Sequence, residues 1–157
     1  MNNRDLLTEN EVIQGAINFL SQKGISSSKR VLSKADAEKK EHGVDLKFTL
    51  ESQAKNGNKY IIEAKGNKNT NGTVMSSTYD TNFRWVLSQI ILRIKVDPTK
   101  YNYIYGIAMP KSDVENCIRL MRNNWALKHL KIRLYGAYFD TEGQLTAKEY
   151  LPKEIYD

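Results

Sequence analysis

Two stretches of the chain alternate apolar and polar residues with the period of a strand, one on each side of a turn signal. In the first, Val44, Leu46, Phe48 and Leu50 point one way while Asp45, Lys47 and Thr49 point the other. In the second, Tyr60, Ile62 and Ala64 share a face, and Ile61, Glu63 and Lys65 share the opposite one. Lys55-Asn56-Gly57 between them predicts a hairpin. A two-residue turn of Asn56-Gly57 sets Leu50 across from Glu63, a core side chain against a charge. A three-residue loop with Gly57 left-handed pairs Thr49 with Glu63 and Lys47 with Lys65, so the polar faces agree. The longer loop is the expected one. It sets Asp45 opposite Asn67, from where strand twist or a bulge has to return it towards Glu63.

Helical periodicity marks three further segments. Residues 8 to 23 carry Val12, Ala16, Phe19 and Leu20 on one stripe, opened by a capping-box pattern of Thr8 and Glu11 and closed by Gly24. Asn82 to Val96 buries Phe83, Val86, Leu87, Ile90 and Ile94, with Pro98 just beyond its end. Ser112-Asp113-Val114-Glu115 reads as a second capping box, opening a helix to about Leu130. Tyr101 to Met109 is a strand too apolar to have an exposed face, hence central. Ile132 to Phe139 is another, followed by a turn over Asp140 to Gly143. Residues 66 to 80 show no periodicity and read as a mobile loop; the polar stretch 26 to 43 and the tail from Gln144 carry little pattern. The expected class is α/β, in the order helix, strand, strand, helix, strand, helix, strand, a mixed sheet flanked by helices.

Length and charge narrow the function. A chain of 157 residues suits one domain, here 1–157 with its core over about 8–139. Twenty-four Lys and Arg against eighteen Asp and Glu leave a net charge of +6, a modest excess that favours a polyanionic partner. The single Cys117 lies among Val114, Ile118 and Met121 and reads as a buried small hydrophobe. Met1 to Asp5 lacks a signal-like apolar run, and no segment reaches the ~18 apolar residues that span a bilayer. The expectation is a soluble, cytoplasmic protein with no membrane partner. With His42 and His129 the only histidines, a histidine-based metal or nucleophile site is disfavoured. Tyr101, Tyr103 and Tyr105 alternate and read as sheet packing rather than base stacking.

The chemistry concentrates in His42-Gly43-Val44-Asp45 and, eighteen residues after Asp45, in Glu63-Ala64-Lys65 followed by Gly66. Two carboxylates from adjacent strands supply the oxygen ligands a hard divalent cation takes, with room left for water and phosphate. Lys65, on the face of Glu63, suits orienting or deprotonating an attacking water, or neutralising charge that builds on phosphate.

Asp45 with Glu63-Ala64-Lys65 resembles the catalytic signature of the PD-(D/E)XK nuclease superfamily, which has the restriction-endonuclease-like fold. Val44 stands where the family's name has Pro. The order of elements over roughly residues 8 to 139 resembles the family's common core. Gln89, in Trp85-Val86-Leu87-Ser88-Gln89-Ile90, resembles the glutamine often found on the helix after the Glu-x-Lys strand. The resemblance implies hydrolysis of DNA phosphodiester bonds with Mg²⁺ or Mn²⁺, held by Asp45, Glu63 and the Ala64 carbonyl, with Lys65 assisting the water and Gln89 in the site. Many members also place a supporting Glu on the first helix; Glu11 and Gln14 are the candidates here. Lys29, Arg30, Lys39 and Lys40 before the hairpin, and Lys68 and Arg84 after it, are placed to flank a phosphate track. The loop from Asn67 to Thr81 is placed to close over substrate. Specificity would come from loops, a homodimer partner or a separate subunit. Two other readings remain: a nuclease-fold module that has lost catalysis and grips nucleic acid or a protein, and an interaction protein whose strand charges form salt bridges.

Overall fold

The computed structural model describes residues 4–27, 49–55 and 57–157. Its elements are α1 (Glu9–Gln22), β1 (Ser26–Ser27), β2 (Thr49–Gln53), β3 (Lys59–Ala64), α2 (Tyr79–Arg93) and β4 (Tyr103–Pro110). They continue with α3 (Lys111–Met121), α4 (Trp125–His129), β5 (Arg133–Phe139), β6 (Leu145–Tyr150) and α5 (Pro152–Tyr156). The six strands form one mixed sheet in chain order. β3, β4 and β5 run parallel, and the outer pairings are antiparallel. Parallel neighbours need a crossover, which α2 supplies between β3 and β4, and α3 with α4 between β4 and β5.

The two faces of the sheet bury different helices. Val12, Ile13, Ala16 and Leu20 of α1 pack on Tyr60, Ile62, Ala64, Ala108, Tyr135 and Ala137. On the other side, Phe83, Val86 and Ile90 of α2 join Val114, Cys117 and Met121 of α3 over Tyr105, Ile107, Met109 and Leu134. β4, covered on both faces, is buried from Tyr105 to Pro110, as its unbroken apolar run demands. Burial pushes the Cys117 thiol up to about 12, the behaviour of a packing residue. No helix among the described residues is long and apolar enough to cross a membrane.

The hairpin has the predicted register. Thr49 stands across from Glu63 and Gln53 across from Lys59. Gly57 is left-handed at φ 83°, and its N–H donates to the Ala54 carbonyl at 3.0 Å. The capping box of α1 also forms: Glu11 N–H donates to Thr8 Oγ1 at 3.2 Å, and Thr8 N–H to Glu11 Oε2 at 2.8 Å.

Five expectations are corrected. Residues 66 to 80 are tied down rather than mobile: Asn67 and Lys68 both donate to the Leu7 carbonyl, at 2.9 and 3.1 Å, and Met75 donates to Asn67 O at 2.9 Å. α2 begins at Tyr79 within that stretch and ends at Arg93. The helix expected to reach Leu130 stops at Met121, because Asn123 turns left-handed at φ 65° and α4 then starts afresh. Ser112 does not form a capping box with Glu115; its reciprocal partner is Asp5, which accepts from Ser112 N–H at 3.0 Å while Ser112 Oγ accepts from Asp5 N–H at 2.9 Å. The tail forms β6 along β5, then α5, which buries Ile155 and Tyr156. The alternation of β6 is blurred because Glu149 is held between Lys23, at 3.0 Å, and Arg133, at 3.3 Å, so a charge occupies a half-buried position.

Candidate active site

β3 places its charged residues on the face covered by α2. Glu63 is only 1% exposed, and its Oε1 accepts from Arg93 Nε at 2.9 Å. Lys65 lies just past the strand, where its N–H continues the ladder to the Ala108 carbonyl at 3.0 Å. Its ammonium reaches Glu9 Oε1 at 3.1 Å and sits 4.6 Å from the centre of the Trp85 ring. Trp85, Gln89 and Arg93 recur every four residues, so they share one stripe of α2. The outer two touch Lys65 and Glu63; Gln89, half-buried, lies between them on that stripe.

Gly66 explains how Glu9 comes to lie beside Lys65. A Cβ there would stand 2.5 Å from the Glu9 nitrogen and 2.6 Å from the Leu7 carbonyl oxygen. The chain leaving β3 therefore crosses against the start of α1, which only glycine permits. Asn67 then locks the crossing. Fully buried, it accepts from Leu7 N–H at 2.9 Å and donates to Asp5 O at 2.7 Å and to Asp113 Oδ2 at 3.1 Å. Asp113, buried in turn, takes a forked pair from Arg4 at 3.0 and 3.1 Å.

The sequence-predicted residues divide clearly. Glu63 and Lys65 share a face, with Ala64 between them turned towards α1. Glu11 is not against Lys65: its carboxylate serves the α1 cap and lies 3.7 Å from Lys68. Gln14 donates to Asn18 at 2.7 Å, in an exposed pair along α1. Glu9, the acid that does meet Lys65, was missed. As the first residue of α1 it falls outside the apolar stripe that drew attention to the helix, and nothing in the sequence marks the close crossing at Gly66. Arg84 is exposed on α2. Asp45, Lys29, Arg30, Lys39, Lys40 and His42 lie outside the described residues.

Comparison of the chain with protein-family models, curated proteins and solved structures found no match.

The donor chemistry here is oxygen without histidine or cysteine: the carboxylates of Glu63 and Glu9, with the backbone carbonyls at the strand end. That composition suits a hard cation. Among the described residues no three metal-ligating side chains gather. A cleft of about 880 Å³ lies between the starts of α2 and α3, lined by Arg4, Asp5, Tyr79, Asp80, Lys111 and Asp113, and Glu63 is not part of its wall. Within it the hydrogen bond from Thr78 holds the Asp80 carboxyl below its usual range, with Arg84 a smaller contributor.

Proposed function

We propose that this chain is a metal-dependent nuclease with a restriction-endonuclease-like core, cutting DNA phosphodiester bonds. The observation that carries the reading is the shared face of Glu63 and Lys65, covered by the Trp85-Gln89-Arg93 stripe with Glu9 alongside. Mg²⁺ or Mn²⁺, held by Asp45, Glu63 and the Ala64 carbonyl with Glu9 as the supporting acid of the first helix, would polarise the phosphate and acidify a bound water. Lys65, half-buried between Glu9 and the Trp85 ring, is held in place to orient that water and to neutralise charge on the phosphate. Arg93 fixes one Glu63 oxygen and so orients the carboxylate. Gln89, on the same helix stripe as Trp85 and Arg93, would hydrogen-bond within the same site. The net charge of +6 favours the polyanionic substrate.

The test is cleavage of linear, supercoiled and branched DNA with Mg²⁺, Mn²⁺ or EDTA. Lys65→Ala is expected to lose at least about a hundredfold in rate while its melting temperature stays near that of the parent. Undiminished cleavage by that variant refutes the assignment.

One observation favours a second reading. Glu63 and Lys65 each already hold an ion-pair partner, at 2.9 and 3.1 Å. A module that has lost catalysis and only grips nucleic acid keeps such pairs closed. DNA retardation in EDTA, with no metal-dependent cutting, identifies it.

A further inference from the structure

The two ends of the parallel strands carry different side chains. β3, β4 and β5 are parallel, so Lys65, after β3, lies at their C-terminal end, whereas the segments entering β4 and β5 gather at the N-terminal end. Those segments carry the most exposed aromatic rings among the described residues. Trp125, 77% exposed on α4, stacks one face on His129, with ring centres 5.4 Å apart and an angle of 12°, which leaves the other face in solvent. Tyr101, before β4, is 61% exposed and is no packing residue, in contrast to the buried Tyr105. A groove of about 230 Å³ joins Tyr101, Asn102 and Tyr103 to Lys131 and Arg133.

Lys131 is the unusual member. It ends α4 at φ 54°, with its N–H donating to the Lys128 carbonyl at 3.0 Å and Ile132 N–H to Leu127 O at 3.3 Å. Glycine is the low-energy residue for that position, so a lysine there is held at a conformational cost. Lys128 pairs with Asp157 at 2.9 Å and Arg133 with Glu149 at 3.3 Å, but the exposed Lys131 has no ion-pair partner among the described residues. The exposed sequence neighbours of Trp125 are mostly polar or cationic, Arg122, Asn123, Asn124 and Lys128 beside Ala126, rather than the aliphatic residues of an apolar docking face. Exposed rings among cations suit unpaired bases on a phosphate backbone; a duplex keeps its base faces hidden.

We propose that this end of the molecule binds single-stranded nucleic acid, with bases stacked on Trp125 and Tyr101 and the backbone passing Lys131. The inference stands apart from cleavage, because binding needs no metal.

The experiment is fluorescence anisotropy of labelled oligo-dT and oligo-U in EDTA over a series of salt concentrations. Trp125→Ala is expected to raise Kd by about tenfold. Lys131→Gly is expected to raise Kd a few-fold and to flatten the salt slope by about 0.7. Because that substitution relieves the left-handed backbone, its melting temperature is expected to be no lower than the parent's, so weaker binding cannot be put down to unfolding. Binding of either oligomer with this dependence supports the proposal, and the dT and U arms show which of the two strands is preferred. Unchanged Kd in both variants overturns it. So does an equal loss for inorganic polyphosphate, which has no bases to stack. Loss of self-association in Trp125→Ala without any change in oligonucleotide binding also overturns it, in favour of a second copy of the chain.

Discussion

Ile62 and Glu63 are neighbours on β3, equally sealed from water at 0% and 1% exposure, yet they face opposite layers and meet partners of opposite character. Ile62 meets the apolar stripe of α1, where burial of such a side chain stabilises by roughly 1.5–3 kcal/mol. Glu63 meets Arg93, and the desolvation of a buried carboxylate offsets much of what the pairing returns. An aliphatic residue would serve stability at that position as well or better. Both faces of the sheet bury an apolar core, but at Glu63 the α2 side also buries a charge that packing alone does not call for. A buried charge of this kind is expected of the proposed site, and substitution at Glu63 separates that reading from one in which the strand charges only form salt bridges.

Substitutions test the contrast in decreasing order of expected effect on stability. Ile62→Ala is expected to cost about 2–5 kcal/mol in urea denaturation, since it opens a cavity under α1. Gly66→Ala forces a Cβ into the start of α1, and overpacking of this kind costs about 1–3 kcal/mol. It also displaces Lys65 from Glu9, so cleavage should fall further than the loss of fold accounts for; full activity would mean that the crossing does not position the site. Asp5→Ala removes the acceptor for Ser112 N–H and is expected to lower stability by about 1 kcal/mol, read as a shift in thermal midpoint. Glu63→Gln keeps shape and an oxygen for Arg93, so the expected stability change is within about 1 kcal/mol while metal-dependent cleavage disappears. A large loss of stability with cleavage intact would reverse the comparison and make Glu63 a structural ion-pair member.

What the sequence made legible follows from periodicity. The hairpin register could be read because only one loop length keeps Leu50 away from Glu63, and Gly57 supplies the left-handed residue that this loop needs. The central place of β4 followed from its lack of any polar face. Glu9 was hidden because its role arises from a tertiary crossing, not from a motif. Asn67 was hidden by the opposite effect: a polar residue in a polar stretch looks like a loop, although Leu7, Asp5 and Asp113 satisfy its amide in the interior. The break after α3 depends on a single left-handed Asn123, a conformation that asparagine tolerates but does not announce.

The bonds from Arg4 and Asp5 to Asp113 and Ser112 join residues 109 and 107 positions apart. Closing so long a loop carries an entropic penalty that a three-residue turn does not, so the β2–β3 hairpin is expected early in folding and this latch late. Asn67 bonds to the same latch, two residues beyond Lys65. In that order of assembly the lysine is expected to find its acidic neighbour on α1 only once the rest of the sheet is in place, so partly folded chains lack that pair.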